Sequence, residues 1–306
     1  MRLLAVPPAP ALAVAFALAA ATPTPAAPPT PAAATARSAA LPTTRSAAQR
    51  TAPPSALLGA EIRQLPTEER VVALTFNAAW DETGLDAVLA ALRDLAAPAA
   101  FFPTGQFAEE HPDALRAVTA AGHGLGNHSY SHPHFTDLTA RQARAEVLRA
   151  DAAIRTASGA EPLPFFRFPY SETTPQRIAD VNALGYADLE FTADTNGYLG
   201  TAGGMTTAEA VDRALAALAP GAVLQLHVGA SDASPDHRCL DAEALPLIVD
   251  AVRARGYRLL DLRELLDDRR TGGTPNRLRA ARPHPAAGPR RGITGLRGSP
   301  GGHRSG

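Results

Sequence analysis

The sequence predicts an α/β fold of about seven parallel strands, closed into a distorted or incomplete (β/α) barrel. Three observations carry that expectation. Short apolar runs rich in β-formers alternate with longer segments of helical apolar spacing, and such alternation builds parallel strands joined by right-handed crossovers. Residues 57–268 are the stretch whose composition can build a core, and their number fits one α/β domain. The polar residues that stand out follow the carboxyl ends of strands, the edge at which such folds bind ligands.

The elements follow in order. Residues 70–76 (RVVALTF) form the first strand, and 81–96 a helix with Leu85, Val88, Leu89, Leu92 and Leu95 on one face. The second strand spans 99–102. A helix over 112–121 turns Leu115 and Val118 inward and stops at Gly122. The third strand, 124–127, leads into a histidine-rich segment, His128-Ser129-Tyr130-Ser131-His132-Pro133-His134, read as a short, interrupted helical turn. Thr139 and Gln142 make a capping box for a helix to 157. The fourth strand is 164–167, followed by a helix over 174–184. The fifth strand is 186–192. A second capping box, Thr206 with Glu209, opens a helix to 218. Residues 222–227 form the sixth strand, 241–255 a helix, and 257–260 the seventh strand, before a short helix to 268.

Outside the core the chain changes character. Residues 1–21 read as a signal peptide: Arg2 precedes an apolar run over 11–21 that is too short to span a bilayer, and Ala17-Leu18-Ala19 offers a cleavage site. An uncleaved anchor is the alternative. Residues 22–56 read as a Pro/Ala/Thr-rich disordered linker and 269–306 as an Arg/Gly/Pro-rich disordered tail, because neither buries enough apolar surface to offset its ordering entropy. All 30 acids lie in the core with 16 arginines, while the tail carries nine arginines and no acid. A solvated cationic tail gives at most weak attraction to anionic polymers, so no nucleic-acid partner is expected. The expected location is secreted or cell-envelope associated, with no membrane span after cleavage. Cys239 is the single cysteine, which excludes an internal disulfide.

The polar residues suggest a chemistry. His128 and His132 are four apart, and paired imidazoles suit zinc and similar divalent ions. A metal held by two imidazoles and one oxygen, with an open position, activates water and polarises a carbonyl. His227, at a strand end, is placed to protonate a leaving group, Asp194 to orient that imidazole, and Arg167 to hold a carboxylate base.

At this point the sequence closely resembles the polysaccharide deacetylase family, also called the NodB-homology domain or carbohydrate esterase family 4. The resemblance covers residues 70–266. Thr75-Phe76-Asn77-Ala78-Ala79 sits where the family has T-F-D-D-G. His128 to His132 matches H-[ST]-x-x-H, and Arg167-Phe168-Pro169-Tyr170 matches R-x-P-Y. Asp194 sits in the fourth motif, with Tyr198 near a usual Trp, and Gln225-Leu226-His227 sits at L-x-H. The resemblance implies metal-dependent removal of acetyl groups from an acetylated polysaccharide or cell-wall glycan: chitin-like, peptidoglycan or xylan. It implies that His128 and His132 ligate one divalent metal, most simply Zn. His227 would be the general acid supported by Asp194, Arg167 would steer the motif-one base, and the Tyr170 N–H would stabilise the oxyanion.

This chain departs from the pattern. Asn77 and Ala78 replace the family's base and its third metal ligand. Asp81 is the substitute carboxylate that the sequence offers, as ligand or as base; the plain alternative is a charge favourable to a helix start. Gln225 replaces a Leu that lines the acetyl pocket, which implies a more polar pocket. The expected function is therefore a secreted metal-dependent deacetylase with a rebuilt first motif, or else a catalytically weak glycan-binding relative. The export reading predicts a mature N-terminus near Ala20; mass spectrometry of secreted protein that finds Met1 intact would refute cleavage.

Overall fold

The computed structural model describes residues 52–230 and 238–266. The signal-peptide and tail assignments, and most of the linker, lie outside the described residues. The chain divides into two units at Ser46/Ala47, and the described residues all belong to the second. A 3-10 turn at Ser55–Leu57 opens it and buries Leu57.

Among the described residues eight short parallel strands and seven helices largely alternate, one strand more than the seven that the sequence predicts. β1 (Val71–Ala78), β2 (Ala100–Pro103), β3 (Gly124–Leu125), β6 (Ala193–Asp194) and β7 (Ala222–His227) form a sheet in the order β3-β2-β1-β7-β6, and β8 (Arg258–Leu259) pairs with the start of β1. β4 (Phe165–Phe166) and β5 (Ala187–Asp188) form a separate pair. Single bridges join the two sheets: Asn127 to Phe166, and Ile62 to Leu189 with Gln64 to Ala222. The barrel is thus distorted and left incomplete as a ladder, with residues 62–64 filling the gap.

Of the predicted strand 186–192 only 187–188 forms one, β5, and β6 starts just past the predicted end at Ala193. Leu189 N–H still donates to Phe166 C=O, Glu190 N–H donates to Ile62 C=O, and Thr192 N–H donates to Val223 C=O. The chain crosses from the β4 side to the β7 side within four residues, so one apolar run serves both sheets. β1 runs two residues further than expected and takes Asn77 and Ala78 into the strand.

Alternation along β1 and β7 sorts the side chains into two layers. Leu74, Phe76 and Ala78, with Leu224, Leu226 and Val228, pack outward under the helices. Val71, Ala73 and Val223 pack inward with Phe102, Phe165 and Leu189. Thr75, Asn77, Gln225 and His227 continue the inward rows to the carboxyl end, and the register sets Asn77 beside His227.

The helices are α1 (Leu85–Asp94), α2 (Gly105–Glu110), α3 (Pro112–Ala120), α4 (Ala140–Ser158), α5 (Pro175–Asn182), α6 (Thr207–Ala216) and α7 (Asp241–Ala254). Both predicted capping boxes form, at Thr139/Gln142 and Thr206/Glu209. The sequence reading missed α2, which the Thr104 side chain caps through the Phe107 N–H. No helix among the described residues is long and apolar enough to cross a membrane.

The histidine segment is not helical, contrary to expectation. Ser129 and His132 take left-handed backbone (φ = 66° and 57°), and the Tyr130 and Ser131 N–H groups donate to Glu146 of α4. Asn127 anchors the segment. Its buried Nδ2 donates to Val147 C=O (3.0 Å) and Tyr186 OH (3.2 Å), and its Oδ1 accepts the Ser129 N–H (3.0 Å). Asn127→Ala strands buried donors and acceptors and is expected to cost about 2–4 kcal/mol, a fall of roughly 4–12 °C in melting midpoint. A calorimetric shift within error would show that the loop holds itself.

Candidate active-site cleft

Arg167 is the side chain at the floor of the site. It leaves the end of β4 fully buried and stacks over Phe102 at 4.3 Å. Its guanidinium donates from Nη1 to Asn77 Oδ1 (3.0 Å), from Nη2 to Thr75 Oγ1 (3.0 Å), and from Nε to Leu189 C=O (3.1 Å). Burial pulls its pKa down to about 10, against the opposing pull of Glu190, Asp194 and Asp188. It stays charged at neutral pH and needs acceptors on every side.

Asn77 is committed at both ends. Its Oδ1 takes the Arg167 proton and its Nδ2 donates to Gln225 Oε1 (3.1 Å), while Gln225 Nε2 donates to Asp194 Oδ2 (2.8 Å). The position where the family carries a base is thus an amide with no proton-accepting function. Ala78 packs in the outer core layer and offers no ligand.

His128 is buried, and its Nδ1 lies 2.8 Å from Arg167 C=O; a carbonyl accepts, so Nδ1 carries the proton and Nε2 keeps its lone pair. The His132 ring lies 4.8 Å from it, edge-on, with its buried Nδ1 unpartnered. Burial, then the neighbouring His132, holds the His128 pKa well below its usual value, and burial holds His132 at about 4. Two neutral imidazoles suit a zinc-type ion. A third protein donor is missing: among the described residues no three His, Cys, Asp or Glu gather to hold a metal.

Asp81 corrects the expected triad. After β1 the chain leans over β7, where Gly84 N–H donates to Val228 C=O (2.7 Å) and Asp81 abuts Gly229. Its Oδ1 accepts the Thr83 N–H (3.0 Å). Although Trp80 beside it reaches His132, Asp81 does not gather with His128 and His132 into a group that could hold a metal. Asp81 also precedes α1, which starts only at Leu85.

The expected partner of His227 also changes. Its Nδ1 is 3.2 Å from Asp241 Oδ2, which also accepts its backbone N–H (2.7 Å), whereas Asp194 is 3.9 Å away. Asp241 is fully buried at the start of α7, and its Oδ1 has no partner. The sequence signal for it was an acid opening a helix, which reads as a dipole charge. Glu190, likewise unread, accepts the Phe168 N–H (2.9 Å) and the Ser171 hydroxyl (2.7 Å), and so holds the Arg167–Tyr170 turn. Tyr170 sits in that turn with φ = 59° and an exposed ring that stacks on His134 at 4.1 Å.

These groups share one open cleft of ≈ 1220 Å³ at the carboxyl ends of the strands. Asn77, Asp81, His128, His132, Asp194 and His227 all line it, as do Tyr170 and Gln225. Arg167 lies beneath. Exposed Trp80, 4.9 Å from His132, forms part of one wall, and Tyr198, 4.5 Å from His227, part of another.

Comparison with known proteins places this geometry. The polysaccharide deacetylase family model matches residues 64–189, a span that includes Asn77, His128, His132 and Arg167 and stops before Asp194 and His227. A chitooligosaccharide deacetylase of Azorhizobium caulinodans is 28% identical over 200 residues, 62% of this chain and 92% of that protein. A peptidoglycan-N-acetylglucosamine deacetylase of Bacillus cereus is 24% identical over 197 residues, 64% of this chain and 68% of that protein. Among solved structures, a family 4 carbohydrate esterase pseudoenzyme from Bacillus anthracis superposes with a TM-score of 0.61 at 22% identity, over 69% of this chain and 70% of that one, and shows the same fold. Over residues 64–189 the chain is thus similar to the polysaccharide deacetylase family, and its distorted barrel is the fold of the solved structure named above.

Proposed function

We propose that this protein binds an acetylated glycan in the cleft and that acetyl hydrolysis there is suppressed. The observation that carries the reading is Asn77, whose amide is hydrogen-bonded at both ends where a proton acceptor has to stand. The relatives named above act on chitooligosaccharide and peptidoglycan, and a chitin-like or peptidoglycan-like glycan of the cell envelope is the ligand class. Export to the envelope belongs to the same proposal.

The parts of the cleft divide by role. Trp80, Tyr170 and Tyr198 offer ring faces to the C–H face of a pyranose. The Tyr170 N–H, in the first turn of a 3-10 segment at the cleft, has no intrahelical partner and is a donor that an acyl oxygen could use. His227 is the proton donor to a leaving nitrogen or oxygen: Asp241 takes Nδ1, and Nε2 is the nitrogen left for the cleft. Arg167 supplies fixed positive charge below. At position 77 itself no group stands to take the proton from water.

The metal assignment stands in the same position. His128 and His132 fit the imidazole half of a zinc site, and nothing in the described chain supplies the carboxylate half. The described donor set does not complete the site that the resemblance implies. Imidazole selects a zinc-type ion over magnesium or calcium, and one held by two imidazoles alone is held loosely.

A second reading, an active deacetylase that uses Asp81 as base, has one observation in its favour. Asp81 lines the same cleft, on the His227 side, and a single turn hydrogen bond holds its carboxylate.

Calorimetric titration with an N-acetylated chito-oligosaccharide is expected to show binding, with no acetate released. Trp80→Ala is expected to weaken that binding by about five- to tenfold; unchanged affinity would remove Trp80 from the wall. Acetate release that Asp81→Asn lowers by ~100-fold or more would establish the second reading instead. Zinc carried through gel filtration is expected to stay well below one equivalent per chain. Full retention, lost in His128→Ala, would show that a third donor reaches the ion.

A further inference from the structure

Three side chains in the cleft share one line of hydrogen bonds, and its direction is fixed from both ends. Arg167 can only donate, so Asn77 must present Oδ1 to Nη1 (3.0 Å) and turn Nδ2 to Gln225. At the other end Asp194 accepts through both oxygens, from Asn196 N–H at Oδ1 (2.8 Å) and from Gln225 Nε2 at Oδ2 (2.8 Å). The Gln225 amide is therefore left with Oε1 toward Asn77 Nδ2 (3.1 Å). Gln225 is 5% exposed, with the partly exposed Asn77 and Asp194 on either side, so a mismatched contact there loses a hydrogen bond that water at the cleft offsets only in part.

We infer that Gln225 is a positioning residue matched to an amide at position 77, so that the loss of the base is written into two residues rather than one. An amide has one donor end and one acceptor end. Placed between two carboxylates, it satisfies one and faces the other oxygen to oxygen. With Asp194 on one side, Gln225 accepts only a donor at position 77. Turning the amide over moves the clash to Asp194 and does not remove it. A protonated carboxyl at position 77 would fit, but a protonated acid is no base. Restoring the family's carboxylate by Asn77→Asp alone therefore does not restore a free base; Gln225 has to change with it. The pairing explains why an unusual Gln and an unusual Asn occur together on neighbouring strands of one sheet, β1 and β7.

A double-mutant cycle on the full chain at neutral pH tests this through thermal stability. Asn77→Asp is expected to lower the melting midpoint by about 4–8 °C with Gln225 in place, and by less than half as much in the Gln225→Leu background. Equal loss in both backgrounds, or no loss with Gln225 present, overturns the inference. A mirror cycle covers the case in which Asn77→Asp does not fold. Gln225→Glu sets two acids across the 2.8 Å contact with Asp194, and adding Asp194→Asn returns a donor. At least half of the lost midpoint is expected to return, and no recovery overturns the pairing. Neither cycle depends on acetate release or glycan binding, so it stands or falls separately from the proposed function.

Discussion

A buried guanidinium organises this protein. Arg167 sits at zero exposure inside the barrel, where a cation without acceptors would cost several kcal/mol. Two chain segments converge to supply four acceptors. Thr75 and Asn77 of β1 face it from one side, and the Leu189 and Glu190 carbonyls face it from the other. Its own backbone ties the rest: its N–H donates to Asn127 C=O, and its C=O takes the His128 imidazole. The crossing strand, the histidine loop and the first motif are thus fixed relative to one another by one residue's hydrogen-bonding needs. The same residue explains why position 77 carries an acceptor oxygen whether or not it carries a base.

Strain is concentrated where those parts meet the cleft. Ser129, His132, Tyr170 and Ser171 all hold positive φ, which side chains other than glycine adopt at a cost. The surroundings hold them there. His132 N–H donates to Ser129 Oγ, Glu146 takes two N–H groups of the loop, and Glu190 takes the Phe168 N–H and the Ser171 hydroxyl. The outcome is that His128, His132 and Tyr170 are presented to the cleft from turns that side chains and backbone of neighbouring elements hold in place.

Asp241 changes how the opposite wall is understood. The carboxylate beside His227 comes from the start of α7 rather than from the strand-end Asp194. Asp194 is instead spent on Gln225 and on the Asn196 turn. Two acids that both look like partners of one histidine therefore divide into a His227 holder and an amide holder, and the division follows from which side chain each can reach.

By itself, the sequence determined the fold class, most elements, both capping boxes and several of the residues that line the cleft. Those follow from local rules: apolar period, cap chemistry and the placement of polar residues after strands. It also exposed the departures at Asn77, Ala78 and Gln225, because they interrupt a motif. Only the tertiary structure decided what those residues do. Pairing of Asn77 with Gln225 spans 148 positions in sequence, and of Arg167 with Asn77 ninety. Where the fifth strand ends depends on two different sheets competing for its N–H groups. The position of Asp81 depends on Gly84 docking against Val228, and the role of Asp241 on α7 starting beside His227. A linear pattern records which donors and acceptors exist; the fold alone sets which of them meet, because a hydrogen bond acts over about 3 Å and carries no memory of chain distance.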